Sequence, residues 1–511
     1  MGVGRWGTRL GALALVGLLA ACGGSDGDAP PTPQPSPDLP DAGPGLPDAG
    51  PSAPDAGPGD DGSTGGQLGW SREQGYVGDS WNLRAMEGAK DGSFVVWTFC
   101  LRDCTGETGS LVSRVDRVQA FRADGTLSWS RDFPRTARLL SLEVSASGRV
   151  VMSGNYSGAP DFGGGPLQVP RPPVDGGFFL LVLSADGQHL WSRGFAPTPV
   201  EPSGAPRSFQ LRVAADDSDH LVLAGRHTGP LDLGGGVLEP GSRSPYLFAA
   251  RFDAAGQHLW SRSLHAVAAG GDVSVEALGT DAAGNLVLGG TAAPPGAPRG
   301  DSTWDTEGGA PYALSLAAAD GSPRWTQLLE GPRGALTAVA RTPEGGVALA
   351  GHYGRSGFEF AGREVAAPRG LDALLLAVGP GGEPRWARAF AGSSREVEPK
   401  LVSDAQGNLT LAVVSDGTLD LGGETFVPPP RNEPKGQLYL GRYAAQDGAH
   451  VWSRLIGNHT RFSSPFFVYG ISPQPDGSVV YGVLNSRLED PVVFDGKTFR
   501  QRGLLFLQLL P

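Results

Sequence analysis

A short hairpin that recurs along the chain constrains its fold more than any other feature. Residues 253–264 read DAAGQHLWSRSL, and near-copies appear as RADGTLSWSRDF, SADGQHLWSRGF and AQDGAHVWSRLI. A tryptophan follows a polar turn in this way seven times, at intervals of 59 to 69 residues. The positions are Trp70, Trp129, Trp191, Trp260, Trp325, Trp386 and Trp452. A regular internal period of this length predicts a repeat architecture of seven units.

Each unit alternates short apolar runs with turns rich in Gly, Asp and Pro. In the third unit the runs are residues 209–214, 220–225, 246–252 and 258–264. Runs of this length between such turns predict strands, and no stretch has a sustained helical period. Four antiparallel strands in each of seven units predict an all-β fold, a seven-bladed β-propeller of four-stranded antiparallel blades.

The two ends of the repeat region are incomplete in complementary ways. The chain ends at residues 503–511, GLLFLQLLP, a third strand without a following hairpin partner. Residues 67–73, QLGWSRE, form a fourth strand with nothing before it. We therefore predict that the N-terminal strand closes the last blade, because closure removes an open sheet edge.

The hairpin resembles a motif of known propellers. The pattern Asp-x-x-Gly-x-x-x-Trp at Asp253, Gly256 and Trp260 is similar to the Trp-docking hairpin of quinoprotein-like propellers, and LDLGGG followed by YLFAARFD resembles the seven-bladed repeats of many secreted bacterial proteins. The resemblance covers residues 67–511 and implies the fold. Quinoprotein enzymes hold a calcium-bound quinone with an adjacent Cys pair, whereas Cys100 and Cys104 are not adjacent. The resemblance therefore implies no cofactor here.

The N-terminus has the features of an export signal. Arg5 and Arg9 precede an apolar run, residues 10–20, that ends in Leu-Ala-Ala-Cys at Cys22. This ending resembles the lipobox of bacterial lipoproteins, which implies removal of a signal peptide, residues 1–21, and lipidation of Cys22; an ordinary secretory signal is the alternative. Gly23 after the cysteine favours the outer membrane. We expect a cell-envelope, outer-membrane lipoprotein, either periplasmic or surface-exposed.

A linker follows the lipidation site. Residues 22–66 contain PDAGP three times and almost no bulky apolar side chains, so we expect them to be disordered and extended. The predicted domains are the signal peptide 1–21, the linker 22–66 and the propeller 67–511. Outside the cytoplasm, the close pair Cys100 and Cys104 favours a disulfide over a reactive thiol or a metal site.

Three residue patterns are candidates for chemistry. The first is the arginine that follows the repeated tryptophan by two positions, the second is the acidic turn Asp216, Asp217 and Asp219, and the third is the histidine set. The histidines are His189, His258 and His450. Because each pattern either repeats between blades or lacks ligand spacing, we interpret them as scaffold or solvated residues. We predict no catalytic residue, no metal site and no cofactor.

The net charge and the lengths of the loops limit the classes of function that fit this chain. The net charge is −12 and no basic patch occurs, which argues against nucleic-acid binding. Long connections such as residues 169–176 and 291–311 fall on one face of the ring, where binding residues usually lie. We predict a monomeric, lipid-anchored binding or scaffold propeller that contacts an envelope protein or glycan through this long-loop face. The alternative is a propeller hydrolase or lyase that acts on polysaccharide.

Overall fold

The computed structural model describes most of the repeat region. The described residues are 65–75, 81–100, 104–105, 111–112, 115–167, 177–196, 209–227, 229–239, 246–264, 273–292, 309–392, 396–415, 417–423, 425–427, 435–461, 469–485, 492–499 and 503–511. All of them lie in one compact unit, Gly62–Pro511. The predicted signal peptide, Cys22 and all but the last two residues of the predicted linker lie outside the described residues, so these assignments stay predictions.

The described residues form seven four-stranded antiparallel sheets and contain no helix, which confirms the predicted all-β propeller. No described segment meets the length and hydropathy of a membrane-spanning helix.

Blade 1 contains Trp81–Gly88, Phe94–Cys100, Val115–Phe121 and Leu127–Asp132. Blade 2 contains Ala137–Val144, Val150–Tyr156, Gly177–Leu183 and His189–Phe195. Blade 3 contains Phe209–Ala215, Leu221–His227, Tyr246–Phe252 and His258–Ser263. Blade 4 contains Ala277–Thr280, Leu286–Ala292, Ala310–Leu316 and Pro323–Leu328. Blade 5 contains Arg333–Arg341, Val347–Gly354, Leu371–Val378 and Pro384–Phe390. Blade 6 contains Glu396–Ser403, Asn408–Ser415, Lys435–Ala444 and His450–Arg461. Blade 7 contains Tyr469–Pro473, Val479–Asn485, Gly503–Leu509 and Leu68–Gly75.

Five blades also have a small hairpin between their second and third strands. These hairpins pair Cys104–Thr105 with Leu111–Val112, Leu231–Asp232 with Val237–Leu238, Phe358–Phe360 with Arg363–Val365, Leu419–Asp420 with Thr425–Phe426, and Val492–Phe494 with Lys497–Phe499. In blade 2 the same place has a single bridge between Asp161 and Pro166.

Blade 7 is built from both ends of the chain, as predicted. The N-terminal strand Leu68–Gly75 pairs antiparallel with Gly503–Leu509, with Arg72 opposite Phe506. The ring of Phe506 then packs edge-on against Phe94 and Phe121 of blade 1, at centroid distances of 4.9 and 4.7 Å. The closing strand pair therefore continues directly into the apolar packing of the first blade.

The apolar core lies between blades. Seven clusters of buried side chains occur, and each joins two adjacent blades. The reason is visible in the second and third strands, such as Gly177–Leu183, which are buried along their whole length because both faces of the sheet are covered. Each blade is thus stabilised by its neighbours on both sides.

The repeated tryptophans join consecutive blades at the rim. The indole Nε1 of Trp129 donates to the Ala185 carbonyl at 2.7 Å, and the ring covers Gly187 in the turn before the fourth strand of blade 2. A Cβ on the contacted glycine would lie only 2.4 to 3.0 Å from the indole at the seven junctions. The pairs are Trp70–Gly125, Trp129–Gly187, Trp191–Gly256, Trp260–Gly321, Trp325–Gly382, Trp386–Gly448 and Trp452–Gly65.

Candidate functional site

A cavity of about 270 Å³ lies on the axis of the ring. All seven blades line it, each with the last residues of its first strand or with the turn that follows. One lining residue from each blade in turn is Glu87, Glu143, Ala215, Thr280, Arg341, Ser403 and Pro473. The cavity therefore opens among the short turns, on the face opposite the long connections where the sequence analysis expected binding.

A chain of ion pairs crosses the mouth of this cavity. The Asp217 carboxylate, in the turn after the first strand of blade 3, lies 2.9 Å from Lys90 Nζ of blade 1 and 2.9 Å from Arg341 Nη1 of blade 5. The Arg341 guanidinium also donates from Nε to the Thr280 carbonyl at 2.9 Å. The hydrogen bond from Lys90 is the largest cause that lowers the pKa of Asp217. This network links three non-adjacent blades across the axis.

Two carboxyl groups lie beside the network. Glu87 and Glu143 occupy the same place in blades 1 and 2, two residues before the turn, and both are half-buried in the cavity. Desolvation raises the pKa of Glu87 to about 7, and the charge of Lys400 partly opposes this. Desolvation also raises the pKa of Glu143, with a further increase from the charge of Glu87. Near neutral pH such a pair retains a proton, so one carboxyl can donate a hydrogen bond or proton while its neighbour accepts.

The sequence did not reveal this pair, because the candidate residues were chosen among those that recur at equivalent positions of several blades. At the position two residues before the first turn, the other five blades have Ala214, Gly279, Ala340, Val402 and Ser472. An acid at this position in two neighbouring blades was the signal that could have identified the cavity.

The three carboxylates of the acidic turn Asp216, Asp217 and Asp219 do not converge on one point. Asp216 forms a buried pair with Arg251 and lies 3.1 Å from the His220 ring, whereas Asp219 lies 3.7 Å from Arg149 of blade 2. Only Asp217 of the three reaches the axial network. Among the described residues no group of three or more His, Cys, Asp or Glu side chains could hold a metal ion.

The three equivalent histidines lie in three different blades. The rings of His189, His258 and His450 pack against Gly164, Gly235 and Gly423, where an added Cβ would lie 2.1, 2.0 and 2.6 Å from Cε1. Desolvation lowers the pKa of both His189 and His258. The histidines therefore support the Gly-rich turns of their own blades.

In blades 1 and 3 the arginine that follows the repeated tryptophan contacts the next blade. Arg131 Nη1 donates to the Gly187 carbonyl at 3.1 Å, and Arg262 Nε donates to the Asp320 carbonyl at 2.9 Å. In blade 4 the replacement Gln327 donates to Gly382 at 2.6 Å. The tryptophan and the residue two positions later thus contact the same turn.

The predicted disulfide and the predicted loop sites are only partly covered by the described residues. Cys100 is buried at the end of the second strand of blade 1, and Cys104 begins the small hairpin, but the Cys104 side chain lies outside the described residues. Residues 169–176 and 293–308 also lie outside them. The disulfide and the long-loop face stay predictions.

Comparison with known proteins adds little to this description. No family profile and no curated protein matches the chain. Among solved structures, a quinohemoprotein alcohol dehydrogenase from Comamonas testosteroni is 11% identical, with a TM-score of 0.37, over 85% of this chain and 78% of that one. The polysaccharide lyase Uly1 is 10% identical, with a TM-score of 0.40, over 87% of this chain and 99% of that one. Because these likenesses are low, the propeller assignment rests on the sheet topology itself.

Proposed function

We propose that this protein is a lipid-anchored binding propeller of the cell envelope, which contacts a protein or glycan partner through its long-loop face. One observation carries the proposal. Several repeated side chains that could take part in binding or catalysis are used for contacts within or between blades. Trp129 and Arg131 contact the next blade, and the His189 ring packs against Gly164. The ring is therefore a rigid frame, and specificity belongs to the connections that differ from blade to blade.

The ends of the chain support the same proposal. A lipid on Cys22 would anchor the molecule in the outer membrane, and the linker 22–66 would hold the ring away from the lipid surface. In blade 7 the N-terminal strand pairs with the C-terminal strand, so neither strand is left unpaired at the point of ring closure, which favours a monomer. Labelled palmitate should enter the wild-type protein in the producing cell and should fail to enter Cys22→Ser.

The loop face is tested by exchange of its connections. In one variant, residues 169–176 and 293–308 are each replaced by a short Gly-Ser turn, and the matched control carries Glu87→Gln with Glu143→Gln on the opposite face. Each form is used for affinity capture from envelope extracts. We expect the loop variant to lose the captured partner and the control to retain it. Capture that survives the loop exchange would overturn the proposal.

A second function is favoured by the two axial carboxyl groups. Glu87 and Glu143 share one cavity and hold a proton near neutrality, which is the requirement for general acid and base catalysis on a polysaccharide. A cavity of about 270 Å³ suits a single terminal sugar ring better than the middle of a chain. This alternative predicts a hydrolase or lyase that acts at chain ends.

The enzyme alternative has its own test. The wild-type protein is incubated with neutral and uronate-containing polysaccharides, and new reducing ends and unsaturated products are measured. Glu87→Gln and Glu143→Gln should each abolish product formation, whereas Glu359→Gln on an exposed hairpin should leave it unchanged. If no polysaccharide yields product, or if the two variants keep activity, the axial cavity is not an active site.

A further inference from the structure

A second concave site lies at the outer rim of the ring. A groove of about 720 Å³ runs along His189–Phe195, the fourth strand of blade 2. Residues 164–167 of the same blade form one wall, and residues 232–234 of blade 3 form the other. Because first strands line the axis and fourth strands lie at the rim, this groove is separate from the axial cavity.

The groove contains an arginine that has lost the contacts of its counterpart. Arg131 in blade 1 occupies the equivalent strand position, and its guanidinium donates to the carbonyls of Gly187 and Phe162. Arg193 lines the groove; within the described part of the chain its side chain makes no hydrogen bond or ion pair, and its charge acts on the His258 ring. A guanidinium has five N–H donors in a planar fork, so a ligand in this groove would meet unused donors.

Two further groups complete the lining. Trp191 is half-buried beside Arg193, with Nε1 bonded to the Ala254 carbonyl at 3.2 Å and one part of the ring against Gly256. On the opposite wall, Asp232 Oδ1 accepts the backbone N–H of Gly234 at 2.8 Å, whereas no described residue donates to Oδ2. The groove thus offers an indole surface, a donor fork and a carboxylate oxygen to which no described residue donates.

The charged groups that line the groove balance each other. Arg193 and Asp232 contribute one charge of each sign, and the lowered pKa of His189 keeps that ring neutral at pH 7. A site without net charge has no electrostatic preference for a polyanion over a neutral molecule. Aromatic surface combined with a few polar groups at fixed positions is typical of small-ligand sites.

We infer that this rim groove binds a neutral pyranose ring of a glycan. The C–H face of the sugar packs on Trp191, its hydroxyl oxygens accept hydrogen bonds from Arg193, and a hydroxyl group donates to Asp232. Leu190, which is 44% exposed at the same strand, extends the apolar surface toward a second sugar. Both groove walls belong to the connections between the second and third strands of blades 2 and 3, so this inference deepens the proposed long-loop function. Arg193 lies on a strand that the loop exchange leaves unchanged, so the failure of one test is distinguishable from the failure of the other.

The test compares two arginines at equivalent positions. The intact chain in detergent is applied to immobilised neutral glucans, galactans and mannans, to polyuronates, and to extended peptides. Arg193→Ala should weaken binding to the preferred neutral glycan at least tenfold without a change in melting temperature, and Asp232→Asn should also weaken it. The matched control Arg262→Ala removes a bond to the Asp320 carbonyl and should lower the melting temperature while binding persists.

Several results would overturn the inference. They are the absence of binding to any neutral glycan, selective binding to polyuronates or peptides, unchanged binding in Arg193→Ala, or an equal loss of binding in Arg193→Ala and Arg262→Ala. The last result would show that general destabilisation of the rim, and not ligand contact, governs binding.

Discussion

The indole of Trp452, in the fourth strand of blade 6, packs against Gly65 at the start of the described chain. A Cβ on Gly65 would lie 2.4 Å from Trp452 Cδ1, and Arg454 Nη2 donates to the Gly65 carbonyl at 2.6 Å. At the other six junctions a glycine of an internal turn takes this position, as Gly187 does for Trp129. The N-terminal segment therefore supplies both the missing strand of blade 7 and the glycine that docks the last tryptophan.

Substitution of Gly65 should weaken ring closure. Gly65→Ala introduces a methyl group into the space of the nearly fully buried Trp452, so the indole or the backbone must shift. Overpacking of this kind costs about 1–3 kcal/mol of the free energy of unfolding. Urea denaturation of the two proteins measures the difference. Gly354→Ala is the control, because its added methyl would meet no atom closer than 3.3 Å. Equal costs in the two variants would contradict the packing explanation.

Removal of the closing strand should open the ring. A chain that begins at residue 62 keeps the strand Leu68–Gly75, whereas a chain that begins at residue 76 leaves Gly503–Leu509 with an unpaired edge. We expect the longer form to remain monomeric and the shorter form to melt at a lower temperature and to self-associate. Light scattering with thermal melting checks both. Identical behaviour of the two forms would show that closure contributes nothing to stability.

A buried ion pair within blade 6 should be costly to break. Arg442 pairs with Asp404, their side chains are only 3% and 2% exposed, and Arg442 also donates to the Gly477 carbonyl at 2.6 Å. Arg442→Met leaves a buried carboxylate without its partner, so we expect a loss of about 3–5 kcal/mol. The double variant Arg442→Met with Asp404→Asn should recover part of it, as measured by urea denaturation.

The exposed pair at the axial mouth provides the comparison. Lys90 and Asp217 are 67% and 52% exposed, and water screens their interaction. Lys90→Met should therefore cost less than about 1 kcal/mol. A cost as large as that of Arg442→Met would refute the assignment of stability to burial.

The axial carboxyl groups predict a pH dependence of stability. The pKa of Glu87 is raised from 4.5 to about 7, so the folded protein binds more protons than the unfolded chain between these values. Stability from this group is complete below pH 4.5 and is lost as the pH rises through 7. Glu87→Gln should flatten this part of the profile and raise the free energy of unfolding above pH 7 relative to the wild type. Denaturant titrations at several pH values measure the difference.

A surface carboxyl group supplies the control for this titration. Glu359→Gln changes an exposed side chain on a small hairpin and should leave the slope unchanged. A wild-type slope that persists in Glu87→Gln would mean that another group governs stability between pH 4.5 and 7.

The repeat made the architecture predictable from the sequence. A tryptophan at a nearly constant interval indicated seven blades, and the unpaired strands at Trp70 and at residues 503–511 indicated how the ring closes. These inferences succeed because strand periodicity and turn chemistry act over a few residues and then recur. The same reasoning placed Trp260 between blades, where it lies against Gly321.

The tertiary structure alone brought together the groups that could bind or react. Glu87 and Glu143 line one cavity because neighbouring first strands surround one axis, and Lys90 contacts Asp217 across it, although each pair is far apart in sequence. Arg193 differs from Arg131 only in its surroundings, which the local sequence does not encode. Sequence by itself determined the repeated strands and their closure, since these follow from local propensity. The closure of the blades into a ring decided the sites, because it determines which of the residues that differ from blade to blade lie next to each other.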